Sequence, residues 1–186
     1  MARRPGVRVA GGRHGGRALK VAGGARPTEG RVREALFSIW QEELEGCQFL
    51  DLYAGSGVVG LEAAGRGALE VLAVERDPRC LKALEQNRKL LDERGLEVRR
   101  LDLPLGLQTL HREGRSFDLM FADPPYGMGY YETLLQEMGL LLRSDGIIAL
   151  EHAQRTVLPA EVAGLVRVEV RRYGDSALSF YRQLPG

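Results

Sequence analysis

The sequence has few cysteines and lacks a long apolar run, and both features exclude classes of protein. Its two cysteines, Cys47 and Cys80, belong to no C-x-x-C motif and no Cys/His cluster. We therefore expect neither a disulfide nor a metal site. No segment approaches the roughly 18 apolar residues that a membrane-spanning helix needs, and the arginine-rich N-terminus lacks the apolar stretch of a secretory signal. These absences predict a cytoplasmic protein without a membrane partner.

Lysine is also scarce, and the basic residues are concentrated near one end of the chain. Only three of the 26 basic residues are lysines. Residues 1–33 carry nine basic side chains and one acidic side chain, a net charge of +8, which leaves −7 for the rest of a chain whose total is +1. A basic segment on an acidic body is typical of contact with phosphate, and arginine suits bidentate recognition of phosphate. The alternative is a solvated tail, above all for residues 1–6.

The basic N-terminal region has its own pattern of elements. Short alternating runs at 7–10 and 18–21, separated by a glycine-rich stretch, predict a β-hairpin. Thr28 can cap a following helix whose apolar residues recur with a helical period, and Arg31 and Arg33 lie on its first turns. We predict a hairpin-and-helix extension over residues 1–44 and a second domain over residues 45–186.

From residue 47 onward the sequence alternates between apolar strands and amphipathic helices, which is typical of a parallel sheet with helices on both faces. The predicted strands are 47–53, 69–75, 97–101, 117–122 and 145–151, and the predicted helices are 58–66, 79–93, 104–112 and 130–142. A closing hairpin at 165–170 and 178–181 contributes an antiparallel strand. The sequence thus predicts an α/β fold with a Rossmann-like, doubly wound, mostly parallel sheet of seven strands, one of them antiparallel.

A glycine-rich turn follows the first predicted strand. Residues 55–60, GSGVVG, fit the G-x-G-x-x-G pattern, in which glycines let the backbone approach a cofactor at a helix N-terminus. Glu75 lies 20 residues after Gly55, where its carboxylate can accept the hydroxyls of a ribose. These features alone fit NAD. Asp51 favours S-adenosyl-L-methionine, because a carboxylate just before the glycines suits a cationic, amino-bearing ligand better than a pyrophosphate.

Two further acidic residues follow predicted strands. Asp102 comes after the third strand and can meet the adenine edge of the cofactor, or it can cap a helix near Pro104. Asp77 is interpreted as the cap of the helix that begins at Pro78. His152, at the end of the fifth predicted strand, lies where catalytic groups can lie, although such a histidine is more often a structural residue, and the sequence leaves its catalytic role open.

The motif ADPPYG, residues 122–127, ends the fourth predicted strand, on the side of the glycine-rich turn. An exocyclic amine on a base is a poor nucleophile because its lone pair is delocalised into the ring. The Asp123 carboxylate and the Pro124 carbonyl can accept hydrogen bonds from the two N–H groups of the amine, and the elbow of Pro124 and Pro125 holds them in place. These hydrogen bonds favour the pyramidal form of the amine, which accepts a methyl group. Tyr126 can stack on the base.

D-P-P-Y after a strand, with D-L-Y-A-G-S-G upstream, resembles the amino-methyltransferases that act on nitrogens of bases or amides. The segments RPTEGRVREALF and YGDSALSFY, with the basic hairpin, extend the resemblance over residues 7–183 to the RsmD-type methyltransferases, which methylate the N2 amine of a guanine in small-subunit (16S) ribosomal RNA. Family members commonly show Asn or Asp in the first position of the D-P-P-Y tetrad. The resemblance implies that the basic region binds this RNA, in a 30S subunit or its assembly intermediate.

The residues and the resemblance together assign three sets of side chains. The catalytic set is Asp123, Pro124, Pro125 and Tyr126; the S-adenosyl-L-methionine set is Asp51, Tyr53, Gly55, Ser56, Gly57, Glu75, Arg76, Asp102 and Leu103; the RNA set is Arg26, Thr28, Arg31 and Arg33. Three alternatives stay open, namely an N6-adenine methyltransferase, an NAD-dependent oxidoreductase and a non-catalytic RNA-binding module. We expect a monomer.

Overall fold

A single sheet of eight strands with helices on both faces makes up the part of the protein that the computed structural model describes, residues 7–22 and 30–184. The strands are β1 (Gln48–Leu52), β2 (Glu70–Glu75), β3 (Leu96–Arg100), β4 (Phe117–Ala122), β5 (Leu142–Ala153), β6 (Glu161–Val162), β7 (Leu165–Tyr173) and β8 (Ser176–Gln183). The helices are α1 (Gly30–Ile39), α2 (Val58–Gly65), α3 (Pro78–Leu90), α4 (Leu107–Arg112) and α5 (Tyr131–Gly139). Within these residues, no helix is long and apolar enough to span a membrane.

The strand order is β3-β2-β1-β4-β5-β8-β7-β6. Strands β3, β2, β1, β4 and β5 pair in parallel, and β8 pairs antiparallel with both β5 and β7. The predicted α/β fold with a mostly parallel sheet is therefore confirmed. The predicted count of seven strands is corrected to eight, because a tight turn at Ala163 and Gly164, both at positive φ, adds the two-residue antiparallel strand β6 at the edge. A strand this short leaves no periodic signal.

Each face of the sheet has its own apolar core. Helices α1, α2 and α3 pack on one face, where Trp40 contacts Phe49 and Phe180 edge-on at ring-centroid distances of 5.8 and 6.3 Å. Helices α4 and α5 pack on the other face, through residues such as Leu110 and Leu134. The loops that leave the carboxyl ends of the parallel strands therefore meet along one edge, between the two helical layers.

The N-terminal segment packs on the first of these cores. Val9 and Leu19 are both buried there. Within residues 7–22 the predicted antiparallel pairing is present in a short form. One bridge joins Arg8 to Ala18, backbone hydrogen bonds of 2.8 and 3.1 Å flank it, and a 3-10 turn at Gly12–His14 lies between the two runs. The glycines between the two runs favour tight turns over a longer ladder. The division at residues 44 and 45 stays a prediction.

Candidate active site

The carboxyl ends of β1, β2 and β4 bring three of the predicted site carboxylates to the same edge of the sheet. Leu52, the last residue of β1, pairs with Val74 of β2 on one side and with Ala122 of β4 on the other. Glu75 and Asp123 directly follow these partners in sequence, and Asp51 precedes Leu52. The backbone N–H of Asp123 lies 3.4 Å from the carbonyl oxygen of Leu52, so the tetrad leaves the sheet beside the glycine loop.

The glycine loop, residues 53–57, turns sharply through left-handed backbone conformations. Tyr53, Gly55 and Gly57 have φ angles of 59°, 57° and 80°. A Cβ atom at Gly57 would lie 2.8 Å from Leu84 Cγ of α3, so both conformation and space require glycine there. Gly57 is the N-cap of α2, so the N-terminus of α2 lies at the glycine loop. Burial, together with the neighbouring Tyr130, raises the pKa of Tyr53 above its usual range.

Glu75 connects the glycine loop to the loop after β2. Its carboxylate accepts hydrogen bonds from the N–H of Gly55 at 2.8 Å, of Arg76 at 2.7 Å and of Asp77 at 2.9 Å. Three backbone donors fix the carboxylate in one orientation at the edge of the sheet. The half-buried Glu75 can therefore present lone pairs to hydroxyl groups bound beside the glycine loop.

Asp51 is only 1% exposed, and its Oδ2 accepts a hydrogen bond of 2.8 Å from the N–H of Gly60 in α2. A Cβ atom at Gly60 would lie 3.1 Å from this oxygen, which explains the third glycine of the motif. Burial is the main cause that raises the pKa of Asp51 to about 7; the Gly60 N–H opposes the shift, and the charges of Asp123 and Glu75 add to it. The edge therefore holds a carboxyl group that titrates near neutral pH.

The remaining residues of the predicted cofactor set lie around the loops after β2 and β3. Arg76 donates to Asp102 at 3.0 Å, and both side chains are exposed. The alternative role of Asp102 as a side-chain cap is wrong, because α4 begins at Leu107 with Gly106 as its N-cap. Leu103 packs against the second core. The interpretation of Asp77 as the cap of α3 is confirmed, since its side chain accepts from the N–H of Arg79 and Cys80.

The tetrad runs from the sheet to the surface. Asp123 is half-buried, Pro124 is buried, and Pro125 and Tyr126 are exposed. The Tyr126 hydroxyl turns back toward the protein, 2.7 Å from Ser176 Oγ and 3.5 Å from Glu151 Oε1. The tetrad thus combines a carboxylate, a rigid elbow and an anchored aromatic ring within one loop.

A family model described as "Conserved hypothetical protein 95" matches residues 7–182 of the chain. The chain belongs to this family. The protein named "Ribosomal RNA small subunit methyltransferase D" from Escherichia coli (strain K12) is 35% identical over 182 residues, which cover 95% of this chain and 90% of that protein. A protein of the same name from Haemophilus influenzae is 34% identical over 144 residues, covering 75% and 72%. These matches confirm the resemblance to the RsmD-type methyltransferases.

A solved structure of a hypothetical protein from Thermus thermophilus has the same fold. It superposes on the chain with a TM-score of 0.82 at 35% identity, and the alignment covers 96% of this chain and 99% of the other. The match to the Conserved hypothetical protein 95 family therefore includes the N-terminal segment from residue 7 and the closing strands, in addition to the parallel part of the sheet.

The structure corrects the predicted role of Arg33, which was assigned to RNA. Arg33 is only 5% exposed. Its Nε donates to Glu62 Oε2 at 3.0 Å, and its Nη2 donates to the carbonyl oxygen of Arg8 at 2.7 Å. Arg33 therefore fastens α1 to α2 and to the N-terminal segment, and it does not face RNA. Arg31 is exposed on the first turn of α1, whereas the predictions for Arg26 and Thr28 lie outside the described residues.

Asn87 of α3 joins the glycine loop to the basic segment, a role that the sequence did not reveal. Its Oδ1 accepts from the N–H of Lys20 at 2.8 Å, and its Nδ2 donates to the carbonyl oxygens of Lys20 at 2.8 Å and Ser56 at 2.9 Å. Asn87 is fully buried, so these bonds are shielded from water. The available signal was an amide side chain on the buried face of an amphipathic helix.

His152 has the structural role that is more common for such a histidine. The imidazole is buried, and its Nε2 lies 2.8 Å from Ser179 Oγ while its Nδ1 lies 3.0 Å from the carbonyl oxygen of Ala153. Burial lowers the pKa of His152. Both ring nitrogens are engaged inside the sheet.

Proposed function

We propose that the protein transfers a methyl group from S-adenosyl-L-methionine to the exocyclic N2 amine of a guanine in 16S ribosomal RNA, in a 30S subunit or its assembly intermediate. The observation that carries the proposal is the tetrad Asp123 to Tyr126 leaving β4 beside the glycine loop that follows β1. The relatives named as ribosomal RNA small subunit methyltransferases support the choice of RNA.

The residues at the edge of the sheet fit S-adenosyl-L-methionine. A Cβ atom at Gly55 would meet only the Tyr53 carbonyl oxygen, at 4.0 Å, so the loop leaves open space for a ligand. Asp51, Glu75 and Asp123 form an anionic edge, which suits a sulfonium and an amino group. When bound, the cofactor would supply a methyl group already activated by a positively charged sulfur. Glu75 would accept the ribose hydroxyls, and Arg76, Asp102 and Leu103 would border the adenine.

The tetrad would act on the amine. The Asp123 carboxylate and the Pro124 carbonyl would accept the two N–H bonds and stabilise the positive charge that develops on nitrogen. The Tyr126 ring would stack on the guanine and fix its plane. The product amine can lose its proton to water, so the site needs orientation and electrostatics more than a strong base.

The direct test is to identify the methylated nucleoside. The protein would be incubated with labelled S-adenosyl-L-methionine and small-subunit RNA, bare and in particles, from cells lacking the modification. Label in N2-methylguanosine after digestion is the expected result, and the better substrate would show whether particles are required. Label in N6-methyladenosine would keep the mechanism and replace the substrate, whereas binding of NAD with no methyl transfer would overturn the proposal.

Asp51 makes cofactor affinity depend on pH. A cationic ligand favours the ionised carboxylate, so binding below pH 7 must release a proton from Asp51. We expect the affinity for S-adenosyl-L-methionine to rise about tenfold between pH 6 and pH 8 if only the ionised form binds. Calorimetric titration across this range would measure the change.

Asp51→Asn is the matched control, because it keeps the size and a hydrogen-bond acceptor and removes the titration. The cofactor affinity of this variant should change less with pH than that of the wild type, and equal slopes would contradict the role of Asp51.

The free energy of unfolding should depend on pH in the opposite direction to the cofactor affinity. Because the folded pKa is raised, ionisation between about pH 4 and pH 7 lowers the free energy of unfolding, a loss that the Asn variant should lack.

Arg31 is expected to contact RNA phosphate. Replacing this exposed arginine by alanine should weaken RNA binding and reduce the slope of log affinity against log salt by about 1. Arg112→Ala, an exposed change on α4 across the sheet, is the control and should leave the slope unaltered. Filter binding at several salt concentrations would measure both slopes. Equal slopes for Arg31→Ala and Arg112→Ala would show that Arg31 is not part of the RNA interface.

A further inference from the structure

The loop that carries Tyr126 is exposed on either side of the ring, at residues 125–127. Tyr126 is 40% exposed, and the loop continues through Gly127 and Gly129 before α5 begins. A Cβ atom at either glycine would meet no atom within 4 Å, so the backbone here is not wedged against neighbours. A ring on such a loop keeps its rotamer freedom unless another contact restrains it.

The contact that restrains the ring comes from the closing strands. The Tyr126 hydroxyl lies 2.7 Å from Ser176 Oγ, and Ser176 is 1% exposed. Ser176 begins β8 and pairs with Ala153 of β5 and with Tyr173 of β7, so its position is set by three strands. Glu151 of β5, also buried, places Oε1 at 3.5 Å from the same hydroxyl. The anchor is therefore part of the sheet, whereas the ring is part of a loop.

We infer that Ser176 is a positioning residue for methyl transfer, which acts by holding the Tyr126 ring in place for stacking on the base. The phenol oxygen lies on the long axis of the ring, so a hydrogen bond to it fixes the direction of the ring from the backbone. Because the ring is already in position, binding of the base does not include the entropic cost of ordering the ring. The inference rests on the proposed function, since it assigns Ser176 through the ring that receives the base.

The hydroxyl bond also separates two roles for Tyr126. The ring face supplies stacking, which phenylalanine would retain, and the hydroxyl supplies the anchor, which phenylalanine would lose. Ser176→Ala removes this bond and leaves the 3.5 Å contact between the hydroxyl and Glu151, whereas Tyr126→Phe removes both, so Tyr126→Phe should cost at least as much. We expect Ser176→Ala and Tyr126→Phe each to lower kcat/KM for RNA about fivefold, the size of one hydrogen bond of ordinary strength.

The test is a double-mutant cycle with these two substitutions, measured as kcat/KM for small-subunit RNA. The double variant should also be about fivefold slower than wild type, because the second change removes nothing further. A loss near the product of the two single losses, or no loss in Ser176→Ala, would overturn the inference. Should Ser176→Ala fold poorly, Tyr126→Phe alone decides, since an unchanged rate without the hydroxyl would also overturn it.

Ser179→Ala is the matched control. Ser179 is a buried serine of the same strand, and its hydroxyl contacts His152. The Ser179→Ala variant should lower the melting temperature as much as Ser176→Ala does, while its kcat/KM for RNA should stay unchanged. NMR of carbon-labelled tyrosine gives a readout that needs no RNA: the Tyr126 ring signals should shift in Ser176→Ala and not in Ser179→Ala. A wild type that methylates no guanine would refute the proposed function, whereas unshifted signals would refute the anchor alone.

Discussion

Asp123→Ala should lower kcat/KM for methylation of small-subunit RNA by about 10²- to 10³-fold, the effect of removing one preorganised group that stabilises transition-state charge. Asp123 directly follows β4 beside the glycine loop, where the amine acceptor and the methyl donor would meet. The change removes an acceptor for one amine N–H bond while leaving the Pro124 carbonyl in place. Steady-state rates with tritiated cofactor would measure it, and calorimetry should find cofactor binding retained.

Asp123→Asn is the informative partner of this variant. An amide oxygen still accepts a hydrogen bond, and the side chain keeps its size. The Asn variant should therefore keep much more activity than the Ala variant. Equal losses in the two would show that the charge matters more than the acceptor, and wild-type activity in Asp123→Ala would remove the tetrad from the mechanism.

The site could be placed from sequence because it depends on local rules. Parallel strands expose their carboxyl ends at one edge, so the Asp51 strand, Glu75 and Asp123 had to meet once the strands were recognised. The glycine at position 57 could be predicted for the same reason, since a sharp turn from a strand into a helix favours positive φ. Strands of five or six mostly apolar residues were long enough to locate β1, β2 and β4.

The features that sequence reasoning missed depend on partners far away in the chain. The sequence predicts that Arg33 is exposed, because arginines usually are. In the structure Arg33 is buried against Glu62, which lies 29 residues later on another helix. Ser176 lies within the segment YGDSALSFY, but its contact with Tyr126 spans 50 residues. Asn87 reaches back 67 residues to Lys20. Charge and periodicity describe a residue's own element, and they do not show which buried polar group will face it.

Glu62→Ala should lower the free energy of unfolding by about 3–5 kcal/mol, the cost of leaving a buried charge without its partner. Glu62 is fully buried, and it accepts hydrogen bonds from Arg33, from Arg66 and from the N–H of Ala10, each at 2.8–3.0 Å. One carboxylate thus joins the N-terminal segment, α1 and α2. Urea denaturation followed by the fluorescence of Trp40, the only tryptophan, would measure the loss.

Two further variants serve as controls for Glu62→Ala. Glu85→Ala breaks the partly exposed pair with Arg88 on α3 and should cost no more than about 1 kcal/mol. Arg33→Met combined with Glu62→Gln removes both charges of the more buried of the two ion pairs of Glu62, and it should be more stable than Glu62→Ala if the stranded arginine causes the loss. A Glu62→Ala variant as stable as Glu85→Ala would mean that water reaches Arg33 and takes the place of the carboxylate.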